Sequence, residues 1–348
     1  MTIETPTGRP AAYSSTLTLI AAFAAVYIIW GSTYLAIRLV MDTMPDFTMI
    51  GLRFCLAGAL MLAWSAWSGQ KAPSRRQIAR AAGIGVMLLF GGTGAVVWAT
   101  VELDTGLVAL LIAMEPLWLA ILMLFWPGAD SRPSAVTWLS LGLGFAGAAL
   151  LAAPGEVLGT GAIHLPSALV LMLGCLSWAA GSLISRNTDL PSSQPVNAGV
   201  QMVAGGLLLT AAGLLGGEAA EFRLEAFSWT SIAAFLYLVV FGSIIAFSAY
   251  AWLIRTVSPT LVATHTYVNP VVAIFLGWLV IDESIGPRTL AAAALILGSV
   301  VIMTTHEARV SRRRRAGERA AAADLEAAAA EAAESAIAQP SSEPRRCA

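Results

Sequence analysis

Long apolar runs, separated by short polar or turn-rich breaks, fill the chain from about residue 16 to residue 305. Within each run the apolar residues are continuous and do not alternate with a period of two. That pattern suits membrane helices and not a β-barrel. About 20 apolar residues cross ~30 Å of hydrocarbon. On that length the sequence predicts ten spans: 16–39, 46–68, 78–100, 105–126, 135–153, 165–185, 196–216, 229–253, 259–281 and 287–305. The breaks carry turn chemistry, as in Met44-Pro45-Asp46, Asp189-Leu190-Pro191 and Ile285-Gly286-Pro287. The first run exceeds the roughly 7–15-residue core of a secretory signal, and further spans come after it, so it reads as an uncleaved first helix.

Composition supports the same class. Of 348 residues, 57% are hydrophobic and 12% charged, against roughly 25% charged in ordinary soluble proteins. The expected fold is an all-α polytopic membrane protein. The net charge of −1 hides a segregation. Lys71, Arg75, Arg76, Arg80, Arg132, Arg186, Arg255, Arg309 and Arg312 to Arg315 fall on one side if the helices alternate. The opposite loops hold Glu102, Asp104, Glu156, Glu218, Glu221, Glu225, Asp282 and Glu283, with Arg38, Arg223 and Arg288 as exceptions. The positive-inside rule then makes both termini cytoplasmic. Residues 1–15 form a short cytoplasmic N-terminus. Residues 306–348 form an Arg/Ala/Glu-rich cytoplasmic tail, expected to be disordered or loosely helical. Its arginines fix topology and can also meet anionic lipid headgroups.

Cys55, Cys175 and Cys347 are scattered, as are His164, His265 and His306, so neither a disulfide framework nor a metal site is expected. The glycine clusters lack the flanking strand and Lys-Ser/Thr of a phosphate loop. No cofactor, nucleotide site or nucleic-acid partner is predicted, and oligomeric state is not legible.

The chain repeats internally. Trp30 and Arg38 match Trp178 and Arg186, and Arg53 matches Gln201, all at an offset of 148. Ala95 and Trp98 match Ala249 and Trp252, and Leu107-Val108-Ala109 with Pro116 match Leu261-Val262-Ala263 with Pro270, at an offset of 154. A six-residue insertion around Gly217 to Phe227 reconciles the two. Five spans per half is an odd number, so the second copy enters the membrane from the opposite side, giving two inverted repeats. The repeats are expected at 16–153 and 165–305.

Trp30-Gly31-Ser32-Thr33-Tyr34-Leu35-Ala36-Ile37-Arg38, with Leu52-Arg53-Phe54 after Pro45, resembles the opening of the EamA domain of the drug/metabolite transporter superfamily. Tyr267-Val268-Asn269-Pro270-Val271-Val272-Ala273, with Gly277 and Asp282-Glu283, resembles the end of its second copy. The stretch from Gly242 through Tyr250 to Pro270 resembles inner-membrane drug/metabolite exporters of bacteria. The resemblance covers about residues 16–305. It implies ten helices in two five-helix units and movement of small metabolites or drugs, usually outward; it supplies no substrate.

Several residues bear chemistry. Glu115 lies mid-span in the fourth run, where a charge costs at least ~2.5–3.5 kcal/mol. It is a candidate proton carrier or cation site; the plainer alternative is a structural ion pair. Arg53 is ~10 Å into its span and Glu115 ~15 Å, close enough to pair. The matching residues, Gln201 and Asn269, are neutral and polar. Pro116 and Pro270 are candidate helix kinks. His265 shares a helix face with Asn269 and joins the candidate proton path. Tyr267, Trp98, Trp252 and Tyr250 are candidates for the substrate pathway, although aromatic residues near helix ends also serve as interfacial anchors.

The resulting expectation is a secondary-active exporter of small organic solutes in a bacterial cytoplasmic membrane. It is not an enzyme, works by alternating access and couples to protons, with lipids as its surroundings. A membrane receptor or scaffold is the rival class, and an intramembrane enzyme a weaker one.

Overall fold

The computed structural model describes residues 16–103, 108, 111–126, 133–151, 164–281 and 286–338. Among the described residues every regular element is helical, and no strand occurs. The helices are α1 Thr16–Met41, α2 Asp46–Trp67 and α3 Arg75–Glu102, then α4 Glu115–Phe125 and α5 Ala135–Leu151. They continue as α6 Leu165–Asn187, α7 Gln194–Leu215 and α8 Trp229–Thr256, then α9 Pro259–Ala263, α10 His265–Ile281 and α11 Pro287–Ala338. Seven are long and apolar enough to cross a membrane: α1, α2, α3, α6, α7, α8 and the Leu290–Val310 part of α11. The chain is a multi-pass helical membrane protein.

The fourth, fifth and ninth predicted spans contain the shorter helices α4, α5, α9 and α10. Most of the fourth span before Leu111 lies outside the described residues. A turn at Ala113–Met114 then leads into α4, which is eleven residues long. The ninth is divided at Thr264. Its hydroxyl donates to Leu261 O at 2.6 Å and bonds Tyr27 Oη, also at 2.6 Å. A threonine that bonds back to its own helix bends or breaks it. In the tail α11 runs to Ala338, in keeping with the alanine, glutamate and arginine there, which favour helix.

Helices from the two halves of the sequence interleave. The tightest packing is α2 across α7, and α5 lies along α11. A Cβ placed on Gly51 would sit 2.8 Å from Gly206 O, and one on Gly206 would sit 2.8 Å from Gly51 O. Seven residues along each helix, Gly58 meets Gly199 O at 2.7 Å and Gly199 meets Gly58 O at 3.1 Å by the same measure. Small residues let membrane helices approach this closely.

Three helices contain wider π-type turns, at Ala25–Ile29 in α1, Val86–Thr93 in α3 and Leu238–Phe247 in α8. Such turns disturb the regular backbone ladder and free carbonyls for other partners. Ser177 Oγ of α6 donates to Met87 O in α3 at 2.9 Å, and Trp30 Nε1 of α1 donates to Gly242 O in α8 at 3.0 Å. The loop around 217–227 carries two short 3₁₀ turns. Its Glu218 carboxylate accepts from Phe47 N at 2.9 Å and Thr48 N at 2.7 Å, capping the start of α2.

Candidate functional site

A cavity of about 190 Å³ lies among α1, α2, α3, α6, α8 and α10, at the beginning of α4. Arg53 and Glu115 both line it. Arg53, 7% exposed, comes from the first half of α2. Its Cζ stands 4.4 Å from the centroid of the Phe54 ring. Its Nε and Nη1 are buried and have no hydrogen-bond partner. Glu115, 5% exposed, is the first residue of α4. There the partial positive charge of the helix N-terminus favours a carboxylate. Its Oε1 is likewise buried without a partner. The two residues share the cavity, but among the described residues no ion pair joins them.

His265 and Asn269 line the same cavity. His265 Nδ1 lies 3.0 Å from Val262 O, a carbonyl that can only accept, so Nδ1 carries a proton. The Asn269 amide, oriented to satisfy its neighbours, donates to His265 O at 3.0 Å and Tyr27 O at 3.3 Å. Pro270 is inside α10. Pro116 stands in the first turn of α4. In that place the missing N–H costs nothing.

One side of the cavity is closed by aromatic rings. Trp30 packs 6.0 Å from Trp178, 5.2 Å from Tyr250 and 4.9 Å from His265, between ring centroids. Trp178 Nε1 donates to Tyr250 Oη at 2.7 Å, and Tyr250 Oη also bonds Ser182 Oγ at 2.7 Å. One turn further along α6, Arg186 Nη1 donates to Ile254 O at 3.1 Å and to Val257 O. These contacts fasten α6 to the end of α8.

The other sequence candidates lie elsewhere. Gln201 is fully buried, donates to Asn197 Oδ1 at 3.0 Å and packs against Gly85, so it belongs to the α7–α3 contact. Tyr267 donates to Leu141 O at 3.3 Å and covers Gly144, joining α10 to α5. Tyr250 belongs to the aromatic closure and is not a cavity wall. Trp252 packs half-buried beside Leu253 and Val262. Trp98 is 55% exposed and lines a second, larger groove of about 720 Å³ near Asp46, Glu102 and Glu218. Trp30 and Trp178, which the sequence does not single out as site candidates, line the cavity. Their matched positions, and the place of Trp30 at the start of the EamA-like opening, are the sequence signals that point to them.

Comparison with known proteins places the chain in a family. The model of the EamA-like transporter family matches the chain twice, at residues 16–153 and 165–305. The chain is 37% identical over 294 residues to the uncharacterized inner membrane transporter YedA of Escherichia coli K12, covering 83% of this chain and 91% of that protein. It is 26% identical over 309 residues to the uncharacterized transporter sll0355 of Synechocystis, covering 84% and 90% respectively. A solved crystal structure shares the fold with a TM-score of 0.71 at 20% identity, covering 85% of this chain and 99% of that one. The chain belongs to the EamA-like transporter family.

Proposed function

We propose that this protein is a secondary-active transporter that exports small organic metabolites across a bacterial cytoplasmic membrane by alternating access, coupled to protons through Glu115. The observation that carries this reading is the cavity. It holds two buried ionisable groups with unpartnered polar atoms, and rings and hydrogen bonds join α1, α6 and α8 beside it. At about 190 Å³ it falls below the roughly 300–1,000 Å³ of drug-sized sites, which favours small metabolites over bulky drugs.

The architecture we propose is ten spans in two inverted five-helix units, 16–153 and 165–305. The glycine crossing supports it: Gly51 and Gly58 match Gly199 and Gly206 at the offset of 148, and the contact Gly51–Gly206 is repeated by its equivalent, Gly199–Gly58. Reciprocal contact of this kind is the mark of a two-fold axis. The π-type turns support it too, because Thr93 and Phe247 end theirs 154 residues apart.

With the termini cytoplasmic, the sealed side is the inner one and the cavity faces outward. Inverted repeats exchange conformations when the site changes sides. The inner seal of Trp178, Ser182 and Arg186 on α8 corresponds by offset to Trp30, Tyr34 and Arg38 against Val96, Thr100 and Leu103 at the end of α3. In this structure the cavity lies between Trp30 and Val96. In the alternate state that gap closes, with Arg38 taking the role that Arg186 has here. A buried carboxylate that meets each side in turn can load and release a proton. The test is substrate-dependent proton flux in proteoliposomes, with substrates first found by comparing the metabolites of cells with and without the protein. Glu115→Gln is expected to abolish coupled flux; unchanged coupling in the variant removes Glu115 as the carrier.

A further inference from the structure

The groove of about 720 Å³ lies apart from the central cavity, between the last turns of α3 and the first half of α6, and is bordered by the start of α2 and the end of α7. Asp46, Glu102 and Glu218 stand at one end of it, where α2 begins and α3 and α7 finish. No lysine or arginine lines the groove, and among the described residues none pairs with these carboxylates. Both oxygens of Glu218 accept backbone N–H groups from the start of α2, which leaves Asp46 and Glu102 to meet a ligand. From Glu102 the groove follows α3 down to Phe90, a run of ~18 Å at ~1.5 Å per residue. That is close to half of the ~30 Å hydrocarbon core, the depth of one leaflet. Its walls are apolar and open to the side: Phe90, Trp98, Val101 and Leu173 are all exposed. Gly91, Gly94 and Gly213 line it without side chains to fill it.

We infer that this groove is a lipid site. It takes a phospholipid with a primary ammonium headgroup, of the phosphatidylethanolamine kind, with an acyl chain against α3 and α6 and the ammonium against Asp46 and Glu102. The site stands apart from the transport reading. An apolar slot one leaflet deep, open to the side of a membrane protein, suits an acyl chain, and the acidic end selects the headgroup. A primary ammonium donates its N–H groups to carboxylates. A trimethylated amine has no N–H to give, and a headgroup of net negative charge is repelled by the carboxylates. Trp98 lines the groove near the same end, as suits an indole at headgroup depth.

The test uses the full purified chain in detergent with a phosphatidylethanolamine that carries a diazirine in one acyl chain. After irradiation the labelled peptides are mapped by mass spectrometry, and adducts are expected within residues 90–101 and 170–177. Unlabelled phosphatidylethanolamine, phosphatidylcholine and phosphatidylglycerol with identical acyl chains then compete. The ethanolamine lipid should displace the probe at a roughly fivefold lower concentration than either of the others, the size expected of a partly exposed ion pair. Asp46→Asn combined with Glu102→Gln should abolish that preference. Glu225→Gln, which removes an acid outside the groove, should leave it intact. Leu173→Trp, which narrows the groove without changing its charge, should lower labelling whatever the headgroup. Adducts confined to other helices overturn the inference, as does equal competition by the choline or the glycerol lipid. An unchanged preference in the double variant also overturns it. If the double variant is not monodisperse, Leu173→Trp decides: undiminished labelling overturns the inference. Failure here leaves the transport reading standing, because neither Asp46 nor Glu102 lines the central cavity.

Discussion

Trp178 of α6, which lines the cavity, donates its indole proton to the hydroxyl of Tyr250 in α8 at 2.7 Å. The same hydroxyl bonds Ser182 at 2.7 Å, so one atom ties two residues of α6 to α8. Tyr250→Phe keeps the ring packing and deletes both bonds. A buried polar atom left without its partner costs about 1–3 kcal/mol. Purified Tyr250→Phe should therefore melt several degrees below wild type. Tyr250→Phe combined with Trp178→Phe should cost less than the sum of the single changes, because the two share one bond. Strict additivity would show that the bond carries no energy.

Arg186 and Arg38 should have opposite effects on access. In a chain with Cys55, Cys175 and Cys347 replaced by alanine, Thr266→Cys places a thiol on the cavity wall. A membrane-impermeant maleimide added outside reports how often the cavity faces outward. Arg186→Gln removes the hydrogen bonds to Ile254 O and Val257 O and should slow labelling severalfold. Arg38→Gln weakens the matching seal of the other state and should hasten it. Changes in the same direction for both variants would refute the exchange of roles.

The α2–α7 crossing should tolerate no added carbon. Gly51→Ala places a methyl 2.8 Å from Gly206 O. Forcing extra volume into a packed contact costs about 1–3 kcal/mol. Gly142→Ala is the control, since nothing lies within 4 Å of its new carbon. Melting of the purified variants should fall clearly for Gly51→Ala and hold for Gly142→Ala. Equal melting would mean that the two helices have room to part.

Much of the fold is legible in the sequence because membrane helices depend on length and apolarity alone. The seven long helices overlap the predicted runs to within a few residues at each end, and Glu115 and Arg53 stand out because charge is rare there. Depth arithmetic brings them to one cavity. It does not reveal their failure to pair, since that depends on side-chain placement to within an ångström or two. In the repeat Gln201 is the neutral counterpart of Arg53, yet its amide turns along its own helix to Asn197. The offset that matches the two residues says nothing about rotamers. Trp98 and Trp252 match equally well and face other surroundings. The break at Thr264 is hidden because a threonine hydroxyl competes with the backbone without leaving any hydropathy signal.

The reciprocal meeting of Gly51 with Gly206 and Gly58 with Gly199 has a mechanical consequence. A contact that maps onto itself when the halves trade places is the one point that need not move. Under the proposed alternating access the α2–α7 crossing would be the pivot of the molecule, and the residues around Trp30 and Trp178 its travelling ends. A covalent tether from α2 to α7 at Cys55, which touches Gly206, should leave turnover near its untethered rate. A tether from α1 to α3 across the cavity should stop it.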